Sequence, residues 1–466
     1  MREETDLAVA GDERGPDGGR AEADAPAFVA AVSAAIEAPD VAGLKALLAD
    51  IHEADMGRLL EALPPEERPA LIRLLGNDFD FTALTELDET VRRQILEELP
   101  NEAVAEGVRD IDSDDAVYIL EDLDDADKQD ILGQLPTLER AALQRSLDYP
   151  EESAGRRMQT EFIAVPPFWT VGQVLDYMQE TEGLPEIFYE IFVVDPTYRL
   201  TGSVPLDRLL RTKRPVKLAD VVTPDKHVVK ATDDQEDVAR VFERYNLVSA
   251  PVVDPAGRLV GVLTVDDIVD VIQEEADEDL KALGGVAGDE ELSDSFWDIA
   301  KSRFSWLFLN LIAANIASFV IALFEGELQK MVALAVLMPI VASQGGNAGT
   351  QTMTVAVRAL ATKELRPSNA GRVIARELAV GLFNGVAFAT IMAVVVFARF
   401  GVADLGFVIA LAMIINLVAA ALGGILIPLA LDRLKVDPAV SSGPFVTTIT
   451  DIVGFFAFLG IAALWF

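Results

Sequence analysis

The sequence predicts a multidomain protein with an all-α superhelical N-terminal domain, a pair of α/β modules and an all-α membrane domain of five helices. Three observations predict this architecture: an uneven distribution of charge, a 12-residue apolar repeat, and long apolar segments near the end of the chain. The net charge of the 466 residues is -38, yet residues 301–466 hold only 8 acidic and 11 basic residues. The other 68 acidic and 27 basic residues lie in residues 1–300, so the two parts suit different environments.

The charge of the first 300 residues restricts the partners of this part. An acidic surface repels nucleic acid and anionic membrane surfaces, so cations are its natural partners. Solubility in a salt-rich cytoplasm is an alternative explanation for the bulk of the charge. Cysteine is absent, and the histidines are His52 and His227. This composition excludes disulfides and thiolate metal sites, and it disfavours a histidine-based site.

The N-terminal domain is predicted at residues 27–150, after a charged tail without an apolar segment (residues 1–26) that reads as disordered and not as a signal peptide. An apolar residue recurs every 12 positions: Leu63, Leu75, Leu87, Leu99, Ile111, Leu123, Leu135 and Leu147. Most of these residues precede Pro or Asp, which favour helix N-termini. Stacked short helices follow from this period, with a plain helical bundle as the alternative. Either arrangement is a scaffold, because no catalytic set lies in it.

Residues 151–280 contain short β-branched segments alternating with helical ones, in two copies of one order. The second copy, APVVDPAGRLVGVLTVDDIVDVI, closely resembles a CBS domain, so the pair resembles a tandem CBS module, a sensor and not an enzyme. In nucleotide-binding members a Thr and an Asp three residues later hold a ribose. Thr264 and Asp267 keep that spacing, whereas Pro205 and Arg208 replace them in the first copy. The resemblance therefore implies one nucleotide site at most, with ATP as a candidate modulator.

Five apolar segments of spanning length follow in residues 305–466. They lie approximately at 305–324, 331–361, 373–400, 405–431 and 444–466. Most flanking Lys and Arg residues fall on one side of these segments. The positive-inside rule places that side in the cytoplasm. The protein is thus expected in the cytoplasmic membrane as a multi-pass protein, with a cytoplasmic N-terminus and an extracytoplasmic C-terminus.

The second and fifth segments carry polar groups at membrane depth. The second contains Pro339, three glycines and several polar residues including Asn347, which predicts a broken helix lining a water-filled path. A tight interface of small residues is the alternative. The fifth contains Asp451, a carboxylate well inside the membrane, where charge costs at least about 2.5–3.5 kcal/mol without water or a cation. Pairing of Asp451 with Arg358 or Arg376 is the structural alternative.

The order of domains and two motifs resemble the MgtE family of magnesium transporters. The motifs are Pro-x₃-Ser-Gln-Gly-Gly-Asn-x-Gly-Thr-Gln from Pro339 to Gln351, and Ser-Gly-Pro-Phe-Val-Thr-Thr-x₂-Asp ending at Asp451. The resemblance implies a Mg²⁺-selective channel with one pore at a homodimer interface, lined by the second and fifth helices. The pore residues are then expected to be Asp451, Asn347, Thr448 and Gly443. Mg²⁺ prefers oxygen ligands and keeps several waters, which suits this set.

Regulation by intracellular Mg²⁺ is expected from acidic positions. The resemblance implies regulatory ligands at Glu236, Asp267, Asp270, Glu275 and Glu278. A second cluster in the N-terminal domain comprises Asp110, Asp112, Asp114 and Asp115. A linker helix is predicted within residues 281–304, which resembles the plug helix of the family, and Asp437 faces the same side. Asn246 stands where the family often has Asp, so one ligand is expected to be weaker.

Three other functions remain as alternatives. The same fold could pass Co²⁺, Mn²⁺ or Ni²⁺, although the absence of cysteine and the scarcity of histidine disfavour softer metals. A membrane enzyme regulated by the CBS pair would need an acid–base partner for Asp451, and the sequence offers none. An anion channel would need basic residues in the pore segments. We therefore expect a transporter and not an enzyme, closed by high internal Mg²⁺.

Overall fold

The computed structural model describes residues 23–49, 51–185, 187–224, 227–288 and 290–466, without the side chains of residues 440–442. It divides into two compact units, residues 1–271 and 272–466. Most of the predicted disordered tail (1–26) lies outside the described residues. The first helix begins at Pro26.

Short helices build the N-terminal domain, joined by turns of a few residues. In chain order they are α1 (Pro26–Glu37), α2 (Val41–Leu48), α3 (Glu53–Ala62), α4 (Arg68–Leu75), two 3₁₀ turns (Gly76–Asp78 and Phe81–Leu84), α5 (Glu89–Glu98), α6 (Asn101–Arg109), α7 (Ser113–Glu121), α8 (Asp125–Gln134) and α9 (Thr137–Leu147). The 12-residue repeat matches the ends of these helices. Leu63, Leu99 and Leu135, for example, each follow the last residue of a helix and are buried in one continuous core. The predicted all-α domain is confirmed.

Two small sheets of the same design follow. The first consists of β1 (Ala164–Val165), β2 (Glu190–Val194) and β3 (Leu200–Pro205), and the second of β4 (Val229–Lys230), β5 (Ser249–Val253) and β6 (Leu259–Thr264). In each sheet the first pair of strands is parallel and the second antiparallel. The associated helices are α10 (Val171–Glu180), α11 (Leu206–Arg211), α12 (Gln235–Tyr245) and α13 (Val265–Leu283).

The two sheets share a small core, which confirms the predicted α/β tandem. Phe192 and Val194 of the first sheet pack with Leu259 and Val262 of the second. The backbone N–H of Leu259 donates to the carbonyl of Tyr198 at 3.0 Å. Corresponding positions therefore face each other across a pseudo-twofold arrangement.

The segment before the membrane differs from the prediction of a linker helix within residues 281–304. Helix α13 extends to Leu283 and ends where Gly285 adopts a left-handed conformation with φ of 74°. The next helix, α14, begins at Phe296 and continues to Ala322 without a break. Ser295 starts it by accepting a hydrogen bond from the backbone N–H of Asp298. Residues 296–304 are therefore helical, but they continue into the first span and form no separate helix.

Among the described residues, five helices are long and apolar enough to cross a membrane. They are α14 (Phe296–Ala322), α16 (Val332–Ala361), α17 (Ala370–Phe400), α18 (Ala403–Arg433) and α19 (Pro438–Trp465), with the short α15 (Glu325–Lys330) after α14. Helix α18 is the most buried of the five and packs against α16, α17 and α19. The predicted five-helix membrane domain is confirmed.

The expectation of a broken second span is wrong for the backbone. Helix α16 continues through Pro339 and its glycines, and α19 continues through Pro444. A proline removes one N–H donor, which neighbouring helices and Ser or Thr side chains can compensate in a membrane helix. Within α19 the Thr448 hydroxyl donates to the carbonyl of Pro444 itself at 2.5 Å.

Candidate functional site

Helix α16 has two chemically different faces. Ser343, Asn347, Thr350, Gln351 and Thr354 recur at helical spacing, and all five are exposed in the isolated chain. The opposite face holds small and apolar residues that are buried. One side of the helix is therefore committed to packing, and the polar side is open for water, an ion or a second chain.

Glycines on the packed face bring the neighbouring helices close. A β-carbon added to Gly349 would lie 2.7 Å from Val446 Cγ1 of α19. One added to Gly424 of α18 would lie 2.6 Å from the Gly349 carbonyl oxygen. No methyl group fits at such distances without movement of a helix. The packed face of α16 is thus the tight interface of small residues that the sequence offered as an alternative. The polar face lies on the other side of the same helix.

Asp451 lies on the face of α19 that also carries Thr448 and Thr447, at helical spacing. It is partly exposed, and no hydrogen bond or ion pair reaches its carboxylate from the described residues. The Arg376 guanidinium instead pairs with Glu377 at 3.0 Å. The structural alternative, an intramembrane ion pair of Asp451 with Arg358 or Arg376, is therefore not formed among the described residues.

The other predicted pore residues lie on the same two helices: Asn347 on α16, and Thr448 and Gly443 on α19. Asn347 is exposed, whereas Thr448 and Gly443 are partly buried. The Thr447 hydroxyl donates to the Gly443 carbonyl at 3.1 Å, so that carbonyl already has a side-chain donor. The backbone near Gly443 is helical and not unwound, which limits the carbonyl oxygens that it can offer to an ion.

A second site lies in the first unit, where α7 meets the start of α13. Asp114 of α7 is 7% exposed, and its Oδ1 atom is buried without a hydrogen bond from the described residues. The Asp267 carboxyl contacts that of Asp114 and accepts a hydrogen bond from the Thr264 hydroxyl at 2.5 Å. Asp115 and Asp112 stand close by. We name Asp112, Asp114, Asp115 and Asp267 the α7–α13 carboxylate cluster.

Burial and mutual repulsion perturb the acidity of this cluster. Burial, followed by the charge of Asp267, raises the pKa of Asp114 well above its ordinary range. The same two causes raise the pKa of Asp115 to about 7. Burial also raises the pKa of Asp267 to about 6, although the Thr264 hydroxyl opposes the shift. Carboxylates in this arrangement need protons or cations to remain together.

Hydrogen bonds beside the cluster join α7 to the segment that precedes β1. The Ser113 hydroxyl donates to Glu161 Oε2 at 2.7 Å, and it accepts from the backbone N–H of Thr160 at 2.8 Å. Farther along, the Arg157 guanidinium donates to Gln235 Oε1 at 3.1 Å and stacks over Tyr118. The N-terminal domain is thus docked on the CBS pair in spite of the negative charges at the contact.

The remaining predicted regulatory residues are dispersed. Glu236 forms an ion pair with Arg240 at 2.9 Å, and Asp110 lines a cavity of about 400 Å³ inside the N-terminal domain. Asp270 lies near Glu86, whose pKa is raised by burial and then by Asp270. Three more residues belong to the second unit: Glu275, Glu278 and Asp437.

In the second unit, the end of α13 packs on the membrane helices. Ala282 is buried against Met353 and Val357 of α16 and Val446 of α19. The pKa of Asp279 is raised by burial and then by the charge of Asp437, while the positive charge of Arg358 opposes the shift. Asp437 also caps α19 by accepting from the Ala439 N–H at 2.8 Å. The end of α13 therefore lies beside the polar spans.

The described residues hold no group of three carboxylate or histidine side chains close enough to ligate one ion directly. Mg²⁺ commonly uses one or two carboxylates and keeps its waters, so the paired Asp114 and Asp267 still suit it. The buried, unpartnered Asp114 Oδ1 is the atom that fits a cation best.

The proposed nucleotide pair is arranged differently from an open ribose site. Thr264 ends β6 and is buried, and its hydroxyl is engaged by Asp267. The Asp267 carboxyl is in turn in contact with the Asp114 carboxyl. In this docked conformation the pair does not fit a ribose, because both groups already satisfy each other.

Sequence reasoning missed several residues at these sites. Glu86 and Asp80 contribute negative charge near the cluster from elsewhere in the N-terminal domain, and Glu161 joins the docking contact. Asn416 is a fully buried amide in α18. A polar residue within an otherwise apolar span was the signal for Asn416, whereas the others depend on long-range folding.

Comparison with known families agrees with this division of the chain. A model for MgtE, described as a divalent cation transporter, matches residues 338–461. A model for the MgtE intracellular N domain matches residues 51–152, and one for the CBS domain matches residues 218–274. The three matches fall on helices α16 to α19, on helices α3 to α9 and on the second sheet module, respectively.

Individual relatives extend over most of the chain. It is 35% identical over 324 residues to the magnesium transporter MgtE of Bacillus subtilis and 37% identical over 328 residues to that of Enterococcus faecalis. Each match covers 70% of this chain and 72% of the relative. A solved cytosolic domain of the Mg²⁺ channel MgtE in complex with ATP is 31% identical, with a TM-score of 0.49, over 52% of this chain and 99% of that one. The resemblance in the sequence is confirmed: this chain belongs to the MgtE family of magnesium transporters.

Proposed function

We propose that the protein is a homodimeric Mg²⁺ channel whose ion pathway runs along the polar face of α16 and the Asp451 face of α19. The observation that carries the proposal is the Asp451 carboxylate, which lies within a span and has no protein partner in the described chain. An uncompensated charge at this depth is costly, and a hydrated cation would compensate it.

The chemistry of the pathway suits a hydrated Mg²⁺ ion. Mg²⁺ dehydrates reluctantly and retains several waters, so it needs few direct carboxylates. Two copies of Asp451, one from each protomer, would attract the dication, while Asn347 and Thr448 would contact its water shell. Gly443 offers no side chain and would leave room for that shell. Other divalent ions of similar charge remain the second candidate, because the same oxygens also bind them.

Import follows from the proposed orientation. Lys363 and Arg366 lie in the connection between α16 and α17, Arg433 ends α18, and Lys435 lies between α18 and α19. The positive-inside rule assigns these connections and the N-terminus to the cytoplasm. Each elementary charge that moves inward gains about 2.3 kcal/mol per 100 mV of membrane potential, and Mg²⁺ carries two.

Closure by intracellular Mg²⁺ is proposed to act at the α7–α13 carboxylate cluster. Mg²⁺ bound by Asp114 and Asp267 would neutralise the repulsion and stabilise docking of the N-terminal domain on the CBS pair. At low Mg²⁺ the same charges would favour separation. The end of α13, which packs on α16 and α19 through Ala282, is the segment through which docking would reach the membrane helices.

Modulation by ATP at Thr264 and Asp267 remains a separate proposal. A ribose would have to displace the hydrogen bond between these residues, so nucleotide binding and docking of Asp114 should compete. Calorimetric titration of ATP into the full-length protein, with and without Mg²⁺, tests this competition. Affinity that is unchanged in Thr264→Ala would contradict a site at this position.

Uptake of Mg²⁺ into proteoliposomes tests the main proposal. We expect Asp451→Asn to reduce uptake to the level of empty liposomes, since it removes the charge and keeps the shape. Asp404→Asn is the matched control, because Asp404 is an exposed carboxylate in the first turn of α18. Wild-type uptake by Asp451→Asn would exclude the proposed pathway.

A further inference from the structure

Asn416 is a polar side chain at the centre of the packed membrane helices. It lies in α18 and is 0% exposed. Its Nδ2 atom donates a hydrogen bond to the Val341 carbonyl of α16 at 2.8 Å. Its Oδ1 atom is buried and accepts no hydrogen bond from the described residues. A buried amide is costly in an apolar helix, so its presence indicates a role beyond packing.

Two glycines from different helices enclose this amide. A β-carbon added to Gly345 of α16 would lie 2.1 Å from Asn416 Nδ2. One added to Gly454 of α19 would lie 2.8 Å from the same nitrogen. A methyl group at either position would require the amide or a helix to shift, so α16, α18 and α19 meet at one amide. We name Gly345, Asn416 and Gly454 the amide junction.

The junction residues lie close in sequence to the residues of the proposed ion pathway. Gly345 precedes Asn347 by two residues, which places the two on opposite sides of α16. Gly454 follows Asp451 by three residues, which is about one helical turn. The distance between the two polar faces is thus set by helices that touch at Asn416. Protein interiors are close-packed and transmit small displacements, so a change at the junction moves Asn347 relative to Asp451.

We propose that Asn416 is a positioning residue for ion selectivity, and that the amide junction sets the separation of the Asn347 and Asp451 side chains. This inference rests on the proposed pathway. Mg²⁺ demands octahedral coordination with short oxygen distances, whereas Ca²⁺ accepts more ligands at longer and more variable distances. A junction that keeps α16 and α19 at one spacing favours the smaller ion with its ordered water shell. A loosened junction should admit Ca²⁺.

The ratio of Mg²⁺ to Ca²⁺ uptake in proteoliposomes tests this role. Asn416→Leu keeps the approximate volume and removes the hydrogen bond to Val341. We expect the ratio to fall about tenfold or more, a discrimination of the size that small changes in site geometry cause. Asn315→Leu is the matched control, because the Asn315 amide donates to the Leu311 carbonyl of its own helix at 2.7 Å and α14 is exposed there. Its ratio should equal that of the wild type.

A second variant covers the case in which Asn416→Leu does not fold, as judged by size-exclusion chromatography. Gly454→Ala retains the amide but pushes α19 away from it, and it should lower the same ratio. A well-folded Asn416→Leu or Gly454→Ala protein with the wild-type ratio overturns the inference. Asp451→Asn separates the two proposals: normal uptake there refutes the pathway itself, whereas loss of uptake there with unchanged ratios in the junction variants refutes only the role of Asn416.

Discussion

Arg92 shows how a single residue can combine charge with complete burial. Its side chain is 2% exposed in the N-terminal domain, where Nε donates to Asp122 Oδ2 at 2.5 Å and Nη1 donates to the Leu87 carbonyl at 3.2 Å. The guanidinium also lies over the Tyr118 ring at 4.1 Å. Because both charges are buried, removing either one leaves the other without compensation.

We expect Arg92→Ala to reduce the local stability of the N-terminal domain by about 3–5 kcal/mol, the usual cost of breaking a buried ion pair. Hydrogen–deuterium exchange of α5 and α7 in the full-length protein measures this free energy. Arg93→Ala is the control, because the neighbouring Arg93 forms an exposed pair with Glu89 at 3.2 Å, worth less than about 1 kcal/mol. Equal effects of the two substitutions would contradict the expected difference.

At the scale of elements, the caps at the helix ends determine where the short helices of the N-terminal domain begin and end. Each 12-residue unit must stop one short helix and start the next, and caps do both. The Asp124 carboxylate accepts from the backbone N–H groups of Ala126 and Asp127 at 2.9 Å each, which starts α8. Only a side chain with an oxygen at this position can satisfy these donors.

Asp124→Ala should destabilise α8 by about 1 kcal/mol through loss of this cap. Asp125→Ala removes the same charge from the same helix end without removing the cap, and it should cost less. Exchange rates of the first amides of α8 distinguish the two variants. The cap would have no role if both variants exchanged alike.

The contact between α7 and α13 should depend on pH when Mg²⁺ is absent. The pKa values of Asp115 and Asp267 are raised to about 7 and about 6, chiefly by burial, so the docked state binds more protons than the separated state. Docking is therefore strongest below the ordinary carboxyl pKa of about 4, and it weakens as the pH rises through about 6 to 7.

Labels on cysteines introduced at the exposed Gln129 and Lys213 can follow this contact, since the chain has no other cysteine. We expect a longer distance at about pH 8 than at about pH 5 in Mg²⁺-free buffer, in the direction set by the proton linkage. Saturating Mg²⁺ should remove the difference. A distance independent of pH in Mg²⁺-free buffer would show that the carboxylates do not control docking.

At the scale of the whole molecule, the chain divides into one unit of residues 1–271 and one of residues 272–466 that holds the five apolar helices. The division of the contacts between residues 271 and 272 falls inside α13, so this helix belongs to both units. Its last residues pack on α16 and α19, whereas its first turn carries Asp267. Helix α13 thus carries Asp267 of the α7–α13 carboxylate cluster at one end and Ala282 at the other.

A chain that lacks residues 1–271 should still transport Mg²⁺ but lose inhibition by internal Mg²⁺. The physical reason is that it retains α16, α19 and the end of α13 and lacks the proposed sensor. Uptake into proteoliposomes loaded with different Mg²⁺ concentrations is the measurement. As a control, the full chain with Asp114→Asn and Asp267→Asn should remain closed even at low Mg²⁺, because the repulsion is gone. Inhibition that persists in the truncated chain would place the sensor elsewhere.

The sequence by itself determined the properties that depend on local order. The spacing of Leu63, Leu99 and Leu135 specified the short helices, and the apolar runs specified the spans, because burial of one face follows directly from periodicity. The motifs from Pro339 to Gln351 and around Asp451 were sufficient for the family. Local pattern also misled at two places, since proline and glycine in α16 suggested a break and residues 290–304 suggested a separate helix.

Only the tertiary structure decided which distant groups meet. The pairing of Asp114 with Asp267, the contact of Ser113 with Glu161 and the enclosure of Asn416 by two glycines each join residues far apart in the chain. No sequence period encodes such contacts, because they arise from the packing of whole elements against each other. Packing also created the hydrogen bond from the Asn416 amide of α18 to the Val341 carbonyl of α16. Local composition cannot show such a contact between helices.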